Sequence, residues 1–232
     1  MAWSLFYYNS LPDLPSECKM FDPEIIHRDF TWCNPKNTGH YQYPKFETLS
    51  YDCGCHEPQV KSLLKRKEDD KYVILYTRHT KNKHESSNKI VGYFKVGEIA
   101  SFKWKTDSEH IGFKSSESLL LPKSKALDID YKSRAVPVSW GNSKIKNYVN
   151  KVLNDFLSGT YDHLNIADNY QMETKKIMKS LCSEKGRLTM AESCHNCNHS
   201  NGCFLAKKIR KKKIEYLHDL YKEHLYSPEQ AI

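Results

Sequence analysis

Eight cysteines punctuate this 232-residue sequence in two sets of four, Cys18, Cys33, Cys53 and Cys55 near the front and Cys182, Cys194, Cys197 and Cys203 near the back. The first residues, MAWSLFYYNSLPDLP, have neither the basic start nor the long apolar stretch of a secretory signal, so the expected location is cytoplasmic. In a reducing compartment cysteines serve as metal ligands or redox groups more often than as disulfides. The back set is arranged Cys182-x11-Cys194-x2-Cys197-x5-Cys203. A two-residue gap lets two thiolates curl round one centre, and the other two ligands then come from a returning loop and a preceding helix end. Thiolates are soft donors that suit an iron–sulfur cluster or zinc. They stand in the polar loop SCHNCNHSNGC, where packing does not call for cysteine. The expected cofactor is a four-iron–four-sulfur (4Fe–4S) cluster. Zinc is the alternative, because His195 and His199 in the same loop could replace a thiolate.

The stretch CHNCNHSNGCFLAKK resembles the C-terminal iron–sulfur loop of helix-hairpin-helix DNA glycosylases of the endonuclease III class, which end in C-x2-C-x5-C. It is also similar to the C-terminal cluster of RecB-like CRISPR-associated nucleases. The resemblance covers about 25 residues, and the x11 gap before Cys194 is longer than the glycosylases have. Their hairpin with its catalytic Lys and Asp is not found, so their activity is not carried over.

Directly after the loop, Lys207–Lys213 reads KKIRKKK, six basic residues in seven. On a helix these wrap most of the circumference, and Lys208, Arg210, Lys211 and Lys212 are candidate phosphate contacts, each neutralised phosphate adding affinity by counterion release. The whole chain has 36 Lys and Arg against 28 Asp and Glu, a net +8, with abundant aromatic residues. Charge and aromatics together point to DNA or RNA as partner. No run approaches the roughly 18 apolar residues of a membrane span.

The front set is less regular. Cys53-Gly-Cys55-His56 is compact, and with Cys18 and Cys33 it forms a possible second metal site, although no standard zinc-module spacing is matched. Asp52, His56 and Glu57 are close enough in sequence to suggest an acid–base set, a pattern that also arises by chance.

These groups must be positioned by an α+β fold. Residues 1–56 read as short strands and turns. EPQVKSLLKRKEDDK (57–71) is expected to be a short helix, YVILYTR (72–78) a buried strand and KIVGYFKV (89–96) a second strand. Alternation continues through 98–105, HIGF (110–113) is a further short strand, and LLLP (119–122) and AVPVSW (135–140) follow. Helical spacing then dominates. In 142–159 the residues Ile145, Val149, Val152, Leu153 and Phe156 make one apolar stripe that stops at a glycine. Further helices are expected at 170–182 and 204–226.

The middle segment DKYVILYTRHTKNKHESSNKIVGYFKVGEI is similar to the core hairpin of PUA-like modules, particularly the EVE and ASCH families. There a glycine in the second strand lets a ligand or a neighbouring backbone approach the barrel wall, the role implied for Gly92. Asp70-Lys71 stands where those families tend to have Gly-Asp. The resemblance implies a PUA-like β-barrel over 1–140, followed by a helical region over 141–232 around the four-cysteine cluster. It also implies recognition of RNA, or of DNA carrying modified bases, at one end of the barrel. Trp32, Tyr41, Tyr43, Trp104 and Trp140 are candidates to stack on a base, and Arg78, His79, Lys81 and Lys83 to contact phosphates.

The first reading is a binder, a nucleic-acid reader probing modified bases with a structural cluster, and whether the chain is an enzyme stays open at this point. The alternative is a metal-dependent nuclease or base hydrolase using the cluster as scaffold. Its acidic candidates are Asp128 and Asp130 in ALDIDYK, which lack the Glu-x-Lys of RecB-like nucleases.

Overall fold

The computed structural model describes residues 3–6, 10–11, 14, 16–25, 42–45, 49–53, 61, 63–65, 71–80, 86–103, 109–129, 143–170, 172–173, 176, 184–203 and 206. Within these, the strands are β1 (Trp3–Phe6), β2 (Ser10–Leu11), β3 (Gln42–Lys45), β4 (Ser50–Cys53), β5 (Tyr72–Thr80), β6 (Ser86–Lys103), β7 (Glu109–Leu120) and β8 (Leu127–Ile129). They share one sheet in the order β1-β5-β6-β7-β4-β3, with β2 also on β5 and β8 also on β6. β1 and β2 run parallel to β5, and the other ladders are antiparallel. Two longer helices follow, α1 (Ser143–Leu157) and α2 (Glu184–His195). The fold is α+β.

The apolar run YVILY at the start of β5 is explained by its two faces. Val73 and Leu75 point into one core with Leu63, Phe94, Phe113, Leu120 and Tyr170. Tyr72, Ile74 and Tyr76 point into a second core with Tyr93, Leu119 and the apolar stripe of α1. A strand covered on both sides has no polar face to alternate with. The expected α1 stripe is the buried one, with Val149, Val152, Leu153 and Phe156 all buried. Gly159, at φ +80°, ends the helix: its N–H reaches the Phe156 carbonyl (3.1 Å) and the Thr160 N–H the Asp155 carbonyl (3.2 Å). This pair of bonds is a Schellman termination.

Gly92 sets the register of β6. Leu75 pairs with Gly92 but Tyr76 pairs with Ile90, so Val91 is an extra residue in the ladder. The bulge shifts the alternation: Ile90 and Tyr93 share one core, Val91 and Phe94 the other. Gly92 sits at φ +149°, and a Cβ there would overlap the Leu119 carbonyl oxygen and come within 2.8 Å of its carbon. Of the two approaches the glycine is expected to allow, the structure displays that of a neighbouring backbone.

Three expectations are corrected. The second strand does not end at 96; β6 runs through Gly97 as one 18-residue strand with further register shifts at Lys95/Val96 and Val96/Ile99. HIGF and the first leucines of LLLP likewise belong to one strand, β7. The expected barrel does not close among the described residues: β1 and β3 end the strand order and no ladder joins them. The physical reason lies in the two cores. A sheet that buries apolar side chains on both faces is a layer between other elements and gains nothing by curling round one of them.

Residues after α1 return along the sheet. The Asn165 Oδ1 accepts the N–H of Leu120 and of Ala167, both at 3.0 Å, and its Nδ2 donates to the Ser118 carbonyl, also at 3.0 Å. The Ile166 N–H then donates to the Leu120 carbonyl (2.9 Å), and Ala167 and Tyr170 enter the first core. No described helix is long and apolar enough to cross a membrane.

Candidate metal centre at the cysteine loop

α2 is not among the helices expected from the sequence, and it is what positions the loop. Met190 and Cys194, one helical turn apart, are buried, while Leu188 is 65% exposed. So thin an apolar face leaves little periodic signal. The helix delivers Cys194 at its C-terminal end, and a series of tight turns follows. The Cys197 N–H points to the Cys194 carbonyl (3.4 Å), the Ser200 N–H to the Cys197 carbonyl (3.0 Å), and the Gly202 and Cys203 N–H groups both to the His199 carbonyl (3.1 Å). This coiling puts Cys194, Cys197 and Cys203 on the wall of one cavity of about 450 Å³, with Ala206 beyond them.

Cys18 lines the same cavity, from the opposite end of the sequence. Its segment is tied down on both sides. On one side Glu17 Oε2 lies 3.2 Å from His199 Nε2. The Glu17 carboxyl is held below the usual carboxylate range, first by its own backbone N–H, then by Ser16, with His199 a smaller influence. On the other side Phe21 is buried beneath the Lys176 ammonium, 5.5 Å from its ring centroid, and Ile25 enters the first core. The Glu24 carbonyl accepts from Lys123 N–H and its carboxylate from Ser124 N–H, both at 2.8 Å.

None of Cys18, Cys194, Cys197 and Cys203 is in a disulfide. Four thiols on one wall form a soft donor set. Four thiolates on one zinc, at bonds of about 2.3 Å, would have to converge to about 4 Å from one another. Among the described residues no three Cys, His, Asp or Glu side chains are disposed to hold a single ion. The thiols share a wall without meeting at a point. Of the two histidines, His199 faces Glu17, and His195 is exposed at the end of α2.

The other candidates are scattered or fall outside the described residues. Cys182, Cys33, Cys55, Trp32, Tyr41, Lys81, Lys83, Trp104, Trp140, Lys208, Arg210, Lys211 and Lys212 all lie outside them, as do Asp130, His56 and Glu57. Cys53 and Asp52 are in β4, paired with Gln42 and Tyr43 of β3. Arg78 and His79 are at the far end of β5, across from Asn88 and Ser87. Asp128, one of the two acidic candidates for a nuclease, is 2.6 Å from the Lys89 ammonium across the β6–β8 ladder.

Sequence spacing groups Cys18 with the front cysteines. The signal available is negative: Cys18 has no partner at module spacing and sits between Glu17 and Lys19, where packing does not call for a thiol. No protein-family model matches the chain, nor does any curated protein or solved structure.

Proposed function

We propose that this protein binds nucleic acid, as a reader of modified bases, through a surface built around a thiolate-held 4Fe–4S cluster. The observation that carries the reading is the cysteine-lined cavity, whose wall reaches Ala206, the residue before the basic run Lys207–Lys213. Cys194, Cys197 and Cys203 would hold the cluster on one side, and its chemistry there is that of a rigid cross-link between the end of α2 and the start of the basic segment. The net charge of +8 supports a polyanionic partner. Asp128 engaged by Lys89 does not favour the nuclease alternative.

The test begins with anaerobic purification and analysis of iron, acid-labile sulfide and zinc, alongside a visible spectrum. The reading expects iron and sulfide with broad absorption near about 400 nm. Affinity for oligonucleotides should fall steeply with salt, and Lys211→Ala with Lys212→Ala should weaken binding to all sequences alike while reducing the salt slope by about 2. Divalent-dependent cleavage abolished by Asp130→Ala would establish the nuclease instead. Absence of binding at low salt would end both readings.

A further inference from the structure

We propose that Cys18 is the fourth ligand of this centre, completing a set of Cys18, Cys194, Cys197 and Cys203 drawn from both ends of the sequence. The inference rests on the reading of the loop as a thiolate-held metal centre, and it changes which residues hold the metal and what the metal joins.

Three observations carry it. The first is placement: Cys18 lines the cavity with the three loop cysteines, so the described residues alone supply the four thiolates that a cubane cluster takes. The second is anchorage. The turn bearing Cys18 touches the loop through Glu17 and His199, is bonded to the turn after β7 by Glu24 and enters the first core through Ile25, so the thiol is presented by a supported backbone. A ligand on a supported backbone holds a centre more precisely than one on an untethered end. The third is exposure. Cys194 and Cys203 are buried, whereas Cys18 and Cys197 are half-buried, so two ligands come from the packed side of the cavity and two from its rim. On this assignment Cys182 is dispensable for the metal. The centre then becomes a clasp: it bonds the turn after β2 to the loop after α2, and its loss leaves the Glu17–His199 contact between them.

The experiment uses the full chain purified anaerobically, with iron, sulfide and zinc measured on the wild type, Cys18→Ser and Cys182→Ser. Cys18→Ser should lose at least about four-fifths of the metal and the visible absorption, while Cys182→Ser keeps both. Because Cys18→Ser could fail to fold, a second measurement uses the unaltered protein. Thiol alkylation with iodoacetamide, mapped by peptide mass, should spare Cys18 in the metal-loaded protein and label it at least about tenfold faster after chelation. Metal retained in Cys18→Ser, together with equal labelling of Cys18 before and after chelation, overturns this assignment and leaves the reading of a metal centre standing. A wild-type chain with neither iron nor zinc overturns both.

Discussion

In β5 five consecutive residues, Tyr72 to Tyr76, are buried on alternating faces, whereas in the turns after α2 only Ser200 and Cys203 are buried and their neighbours are half or fully exposed. The two regions therefore hold their shape by different means. The hairpin removes large apolar side chains from water on both sides, each worth about 1.5–3 kcal/mol. The loop removes almost none, and its turn bonds are individually worth about 1 kcal/mol before the cost of ordering the chain. On the proposal made above, a thiolate-held centre supplies the remainder, as metal binding does in other small sites where burial is insufficient.

Chelation is the strongest way to break this comparison. Stripping the metal should bring the amides of 194–203 close to unprotected hydrogen-exchange rates, while those of 72–76 and 90–96 keep their protection. Persistent protection in the loop would mean that its turns suffice and that the two regions are not different in kind. The converse change is Gly92→Ala. A methyl group against the Leu119 carbonyl, on a backbone at φ +149°, should cost about 4 kcal/mol or more in denaturant-measured stability without lowering metal content. Phe156→Ala empties part of the second core and should cost about 3–5 kcal/mol, again with the metal retained.

Two smaller effects sharpen the picture of the sheet. Asn165→Ala removes three hydrogen bonds and leaves the Leu120 N–H without its side-chain acceptor, for a loss of about 1–3 kcal/mol. The smallest concerns Tyr93, whose phenol is pushed well above its usual value by burial first and then by its hydrogen bond to Glu117. A pKa raised on folding means that the neutral phenol is favoured in the native state. Its contribution is complete below the unfolded value of about 10 and declines as pH rises above it. The wild type should therefore lose stability more steeply than Tyr93→Phe between about pH 10 and 11, by roughly 1 kcal/mol, in urea titrations at each pH.

The hairpin is legible in the sequence because a doubly covered strand writes itself as an unbroken apolar run, and α1 because its stripe is regular. β6 reads as a strand over 89–96, yet the chain passes on through Gly97, where a Cβ would lie 2.8 Å from the Lys114 carbonyl oxygen and from the Ser116 nitrogen. α2 leaves little trace, since Met190 and Cys194 are too few to mark a face. Cysteine spacing reveals the three loop thiols, which are local. It does not reveal Cys18, because spacing carries no information about which distant turns the fold brings together. The open sheet escapes the sequence for a related reason: alternation tells that a strand has two faces, not what covers each.

Asn165 also bears on how the protein behaves in a crowded solution. Among the described residues β7 pairs with β4 over Gly112 to Lys114, and farther along, at Ser118 to Leu120, its outer margin has no strand beside it. Such a margin is a template on which another chain can add a strand, the first step of β-aggregation. Asn165 and Ile166 occupy that margin with one side-chain amide and one backbone N–H, too short a segment to propagate the sheet. The carboxamide and the N–H that follows it thus work as a stopper: they give this stretch of β7 the partners a further strand would have offered.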